Sequence, residues 1–181
     1  MIAVFLADGF EEIEALAVVD VLRRADLDVA IVGVDETTPG DPIGAHNIQV
    51  KVDIHEVDLD ILELEAVVLP GGMPGTLNLE KSGIVMAAVR HAMERNLPVG
   101  AICAAPSILG HAGYLNGKRA TCYPGFEASM TGAIPMDGVV TDGNVTTGCG
   151  PGVAIDFALE LVRVLVSEQK AEEIRRGMQC R

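Results

Sequence analysis

Apolar and polar positions alternate in blocks along the chain. Ile2–Ala7 is apolar throughout, which predicts a strand covered on both faces. Residues 11–25 then show helical periodicity, and Val29–Val34 is a second unbroken apolar run. Residues 35–44, rich in Thr, Pro, Gly and Asp, predict a loop or excursion. Residues 48–52 alternate apolar and polar, as a half-exposed strand does. Ala66–Leu69 predicts a buried strand ending at Pro70-Gly71-Gly72, and residues 82–95 a helix with Ser82 as its N-cap. Val99–Ile102 predicts a further buried strand, and Pro106 the first turn of the helix after it. Residues 118–122 suggest a short strand. Residues 139–141 and 144–147 flank Asp142-Gly143, a hairpin signal. Residues 151–166 form a strongly apolar helix, and the charged stretch 167–181 is a helical extension or a frayed tail.

Strands alternating with helices predict an α/β fold: a mostly parallel open sheet with helices on both faces, organised as one domain over residues 1–181. In such sheets ligands bind beyond the carboxyl ends of the strands. Three segments meet there: Asp8-Gly9-Phe10, residues 70–76 and Cys103-Ala104.

Composition narrows the function classes. The 181 residues are 49% hydrophobic, enough for a sizeable core, yet no apolar run approaches the roughly 20 residues of a membrane helix. The first strand begins without a basic leader, so no signal peptide is expected. A net charge of −13 and the absence of Trp weigh against nucleic acid as a partner. Cys103, Cys122, Cys149 and Cys180 have no paired metal-ligand spacing. Free thiols in a cytoplasmic protein are expected, with no metal and no cofactor.

Candidate chemistry centres on Cys103. It falls on the hinge between a buried strand and a helix opened by Pro106, where a side chain projects from the sheet edge as at a nucleophile elbow. On a helical wheel Glu14 joins the apolar arc of Ala17, Val18, Val21, Leu22 and Ala25, whereas Glu12, Asp20 and Arg23 face the other way. A carboxyl buried there should stay protonated and donate a hydrogen bond to the sulfur. The helix dipole, worth up to about 2 kcal/mol when partly buried, should lower the thiol pKa by about one unit. Gly71 and Gly72 leave backbone amides uncovered, and the amides of Gly72 and Ala104 are expected to form an oxyanion hole beside the sulfur. Gly148-Cys149-Gly150-Pro151-Gly152 opens a helix and is a weaker anion-site candidate. Among the histidines, His91 is expected on a solvated helix face and His111 at the end of the elbow helix. His46, in a loop, is the one that could approach a site.

The segments Ala7-Asp8-Gly9-Phe10-Glu11-Glu12-Ile13-Glu14, Val67-Val68-Leu69-Pro70-Gly71-Gly72, Ala101-Ile102-Cys103-Ala104-Ala105-Pro106 and Gly150-Pro151-Gly152 together resemble the ThiJ/PfpI superfamily. They most resemble the branch that contains the parkinsonism-associated protein deglycase. The resemblance runs from Met1 to about Val166. It implies a flavodoxin-like three-layer sandwich, similar to class I glutamine amidotransferases, and a homodimer. It implies Cys103 as the reactive cysteine, Glu14 as its protonated partner, and Gly72 and Ala104 as the oxyanion amides. Peptidase-like members carry a histidine directly after the cysteine; here it is Ala104, which argues against a Cys-His peptidase. Some deglycase-branch members carry a histidine where this chain has Tyr123, which can donate a hydrogen bond to substrate but is a poor base.

Two functions are therefore expected from one site. The first is a cysteine-dependent enzyme of glyoxalase or deglycase type, acting on small reactive carbonyls or their adducts through Cys103, Glu14, Gly72 and Ala104, with Gly71, Tyr123 and His46 lining the substrate. The alternative is a redox-sensing or chaperone-like protein of oxidative stress, in which the same Cys103 stops at the sulfinate.

Overall fold

The computed structural model describes residues 1–34 and 40–180. Residues 35–39 of the expected 35–44 loop and the final residue of the tail thus lie outside the described residues. Strand β1 (Ile2–Ala7) is followed by α1 (Glu12–Arg24), β2 (Val29–Val34), β3 (Ile54–His55) and β4 (Ala66–Leu69). Then come α2 (Gly75–Lys81), α3 (Gly83–Glu94), β5 (Val99–Ile102) and α4 (Pro106–His111). Two short strands, β6 (Arg119–Ala120) and β7 (Ile134–Pro135), precede the hairpin β8 (Val139–Asp142) and β9 (Val145–Gly148). Helices α5 (Ala154–Leu165) and α6 (Glu168–Gly177) close the chain.

The main sheet is seven-stranded in the order β3-β2-β1-β4-β5-β9-β8, parallel except for the β8–β9 hairpin. It matches the expected flavodoxin-like architecture. Successive residues of β1 point to opposite faces, so one strand feeds two cores. Ile2, Val4 and Leu6 pack with α1, α5 and α6, while Ala3, Phe5 and Ala7 pack with α3 and α4. Both faces are covered, which is why β1 and β2 are apolar without alternation. The chain leaves β1 toward β2 on one side and returns to β4 on the other. The topological switch point therefore falls between β1 and β4, the crevice where such sheets bind ligands.

The structure departs from the sequence pattern in a few places. Residues 48–52 do not form a strand: Gln49 makes one isolated antiparallel bridge to Ile43. The backbone here bonds the segment just before it instead, with Val52 N donating to Asp41 Oδ1 (2.8 Å), Val50 N donating to Pro42 O (3.1 Å) and Ile48 O accepting from Gly44 N (2.9 Å). The edge strand falls at Ile54–His55, in register with Val32 and Gly33. The 70–76 loop runs straight into α2. The apolar helix expected from residue 151 begins as a 3-10 turn at Pro151–Val153. The tail is an ordered helix: Ala171 and Ile174 are buried, and Arg175 pairs with Asp156 at 2.7 Å. The strand expected at 118–122 pairs with β7 in a separate two-stranded sheet.

Ser82 caps α3 as expected, its Oγ accepting from Val85 N at 3.2 Å while its hydroxyl donates to Glu56 Oε2 at 2.5 Å. Replacing it by Ala removes the cap of a helix that packs, with α4, against one face of the sheet. Ser82→Ala is expected to cost about 1 kcal/mol in urea-denaturation stability, with the slope of the transition unchanged.

Candidate active site

Three strand ends deliver the site. β5 ends at Ile102, and Cys103 turns the chain with φ +64, a conformation a non-glycine residue holds only when its surroundings fix it. Those surroundings are two backbone bonds: Cys103 N donates to Gly148 O (2.8 Å), and Cys103 O accepts from Tyr123 N (2.7 Å). Pro106 then opens α4 at its first position. The expected elbow is thus present, with Cys103 9% exposed.

Glu14, in the first turn of α1, is fully buried, as its place on the wheel predicts. Its Oε2 accepts from Gly71 N at 2.7 Å. Its Oε1 is buried without a hydrogen-bond partner, and the Cys103 thiol is the side chain near enough to act on the carboxyl's proton. Gly71 makes this approach possible: a Cβ there would sit 2.6 Å from Cys103 Cβ and 2.8 Å from Glu14 Oε2. Gly72 has φ +91, and any side chain on it would run into the backbone of Gly9 and Glu11. The amides of Gly72 and Ala104 lie close enough to the sulfur to favour its charged form, so the pair expected to hold an oxyanion lies beside it.

The electrostatics correct one expectation. Burial raises Glu14 from 4.5 to about 7, against the lowering effect of the Gly71 and Cys103 hydrogen bonds. The thiol is not lowered, however. Burial first, then the charge and hydrogen bond of Glu14, push it up to about 12, and the Gly72 and Ala104 amides offset this only in part. The dipole loses because α4 is six residues long, while the cost of charging a buried sulfur beside a carboxylate is larger. The two groups act as one unit that keeps a shared proton at neutral pH.

His46 and Glu12 also differ from the sequence reading. Glu12 is not on the solvent side: it is 5% exposed. The chain around Gly44 folds over it, and Glu12 accepts from His46 N (2.7 Å) and meets His46 Nδ1 (2.7 Å). His46 thus turns to α1 rather than to the sulfur. Burial works to raise Glu12, but the His46 hydrogen bonds and charge bring it below its ordinary value, and the Glu12 bond raises His46. Glu11, Glu12 and His46 hold ligand atoms within 4.8 Å of one another, the one such group of metal-binding donors among the described residues. Glu12 and His46 already satisfy each other as an ion pair. Tyr123 binds Cys103 through its amide; its ring is exposed and lies over Gly150. Gly148, whose carbonyl anchors the Cys103 amide, carries no sequence signal for that task. His111 sits in the last turn of α4 and pairs with Glu80 at 2.6 Å. His91 is half-buried with Nε2 out of water, not on a solvated face.

A doubly covered parallel sheet whose elbow cysteine meets a buried carboxyl defines a flavodoxin-like α/β protein with a cysteine–carboxyl site. The chain belongs to the DJ-1/PfpI family, whose model matches residues 1–164. It is 32% identical over 179 residues to protein dj-1beta of Drosophila melanogaster, covering 97% of this chain and 94% of that one. It is 31% identical over 168 residues to a protein of Pyrococcus abyssi named as a deglycase, covering 91% of this chain and 98% of that one. Among solved structures, oxidized Toxoplasma gondii DJ-1 superposes with a TM-score of 0.93 at 30% identity, covering 98% of this chain and 97% of that chain.

Two outcomes follow from this geometry. Because the folded state holds Glu14 at about 7 rather than 4.5, it binds a proton the unfolded chain has released. Glu14 therefore costs stability as pH rises from 4.5 to 7, by roughly 3 kcal/mol in all, and no more above that. The wild-type stability minus that of Glu14→Gln should fall by that order across the window, as read from urea midpoints at each pH. Gly71→Ala should force Cys103 and Glu14 apart, which would appear as an altered alkylation rate of Cys103 in a protein that still unfolds cooperatively.

Proposed function

We propose that the protein is a cysteine-dependent enzyme acting on small reactive carbonyls or their adducts, of glyoxalase or deglycase type. The observation that carries this reading is the fully buried Glu14 carboxyl at the Cys103 sulfur, with the Gly72 and Ala104 amides beside it. The deglycase name of the Pyrococcus abyssi relative supports the same class. With methylglyoxal as the test substrate, Cys103 Sγ bonds to the aldehyde carbon as its proton passes to the Glu14 carboxylate. The oxyanion that forms is held by the Gly72 and Ala104 amides, then takes the proton from Glu14 to give a hemithioacetal. Glu14 next removes the proton on the carbon bearing sulfur and returns it to the neighbouring carbonyl carbon, while the hydroxyl proton passes to the former ketone oxygen, leaving a thioester. Water hydrolyses that thioester to the hydroxy acid and restores the thiol. Gly71 positions Glu14, and Tyr123, whose amide bonds the Cys103 carbonyl, flanks the approach. Ala104 after the cysteine argues against peptidase chemistry.

The second reading uses the same sulfur as an oxidation sensor, with Cys103 held as a sulfinate that Glu14 hydrogen-bonds. The oxidized state named for the Toxoplasma gondii relative supports it. Here mild peroxide should add two oxygens to Cys103 before the other thiols react.

We read the whole chain as one domain in a homodimer, and the four free thiols fit a reducing cytoplasmic setting. Among the described residues, no helix is long and apolar enough to cross a membrane. Ile13 (58% exposed) and Leu16 (38% exposed) form an apolar face on α1 that suits a second copy. Light scattering should report a dimer for the wild type and a monomer for Ile13→Glu with Leu16→Glu.

Methylglyoxal consumption should vanish in Cys103→Ala and fall at least about 100-fold in Glu14→Gln, the scale of a lost general base. In wild type, kcat/KM should rise with pH through the pair's value near 7, because Glu14 must be ionised to take the thiol proton. Turnover no greater than that of Cys103→Ala would overturn the enzyme reading.

A further inference from the structure

The start of α1 holds both polar groups of Gly71. In a capping box, the carboxylate of the third helical residue accepts from the backbone amide of the residue before the helix. Glu11 precedes α1 and Glu14 is that third residue, but here Gly71 stands between them. Glu11 N donates to Gly71 O (2.9 Å), and Gly71 N donates to Glu14 Oε2 (2.7 Å). Gly72 O is taken in turn by Thr76 N (2.9 Å). With those groups satisfied, the Gly72 amide is the donor of this segment that remains to face the sulfur, whose charged form it favours.

That N–H belongs to the peptide joining Gly71 to Gly72, and the carbonyl of the same peptide is Gly71 O. Turning this peptide over would carry the N–H away from the sulfur and bring the carbonyl oxygen toward it. Such a turn reverses the sign of φ at Gly72, now +91, and glycine populates both signs with similar ease. Neither residue has a Cβ to resist. Local sterics therefore do not select the orientation that stabilises an anion. The Glu11 N–H does. Its bond keeps the carbonyl on the α1 side, and breaking it would leave an acceptor of buried Gly71 without a partner.

Glu11 is itself held from outside. Gly9 N donates to Ile43 O (2.8 Å), Ala45 N to Phe10 O (2.8 Å) and His46 N to Glu12 Oε1 (2.7 Å). The chain from Ile43 to His46 thus grips the turn on both sides of residue 11.

We propose that the backbone amide of Glu11 is a positioning group for the oxyanion hole, setting the Gly71–Gly72 peptide so that the Gly72 N–H faces the Cys103 sulfur. Its consequence for turnover rests on the enzyme reading above; its effect on the thiol does not.

The test compares two substitutions at one position. Glu11→Ala keeps the N–H and Glu11→Pro removes it. Residue 11 has φ −83, close to the angle that proline fixes, and its N–H points to Gly71 rather than into the helix. The pH profile of Cys103 alkylation by iodoacetamide should lie higher in Glu11→Pro than in Glu11→Ala. Below its midpoint the rate should be at least about threefold lower, because the thiolate loses the Gly72 amide. With methylglyoxal, kcat should be at least about tenfold lower in Glu11→Pro than in Glu11→Ala while KM changes little, as for a lost oxyanion donor. If Glu11→Pro gives no cooperative melt, a backbone ester at residue 11, which removes the N–H and keeps the side chain, should show the same shifts. An alkylation profile that does not move overturns the proposal, as does an unchanged kcat where the wild type turns methylglyoxal over. If the wild type shows no turnover above Cys103→Ala, the enzyme reading fails by itself, and the alkylation profile still decides the role of the Glu11 amide.

Discussion

Everything at the site depends on one buried carboxyl. Glu14 is fully out of water, fixed at one oxygen by the Gly71 amide and set against the Cys103 thiol. A carboxylate in that position is expensive to keep charged, so the protein holds a group that accepts and releases protons near neutral pH. The remaining features follow from making room for it. Gly71 lacks a side chain because Cys103 Cβ and Glu14 Oε2 already occupy the space, and Gly72 turns with positive φ so that its amide faces the sulfur. Cys103 itself accepts a left-handed conformation, held by Gly148 and Tyr123.

The fold supplies the positions at little cost. Each part of the pair sits where a strand ends or a helix begins, at the crevice where the chain crosses from β1 to β4. Glu14 and Cys103 are distant in sequence, and only the parallel register of β1, β4 and β5 brings them together. A cysteine that shares a proton with its neighbour, rather than standing as a free thiolate, is nucleophilic when Glu14 can take that proton. In the proposed reaction, transfer to the carboxylate accompanies bond formation to carbon, which would tie reactivity to the state of Glu14. The same arrangement can stabilise an oxidised sulfur, which explains why one site supports both a catalytic and a sensing reading.

Much of this was legible in one dimension. The apolar runs located β1, β2, β4 and β5, because strands covered on both faces need no polar residues. The wheel placed Glu14 in the buried arc, and Pro106 marked the turn that exposes Cys103. The same wheel misplaced Glu12, since it gives the angle of a side chain but not what folds over it. The chain from Asp41 to Asn47 covers that side of α1, and His46 closes on Glu12. Residues 48–52 alternate as a strand would, yet their backbone groups find closer local partners.

By itself the sequence determined the layered α/β architecture, the strand ends that meet at one edge, and the identity of the cysteine and the acid, because periodicity and turn chemistry are local properties. The tertiary structure decided the protonation balance of that pair, the direction His46 faces and the burial of Glu12. Each of these depends on desolvation and on neighbours distant in sequence, and solvent exclusion is a property of the packed molecule rather than of any segment.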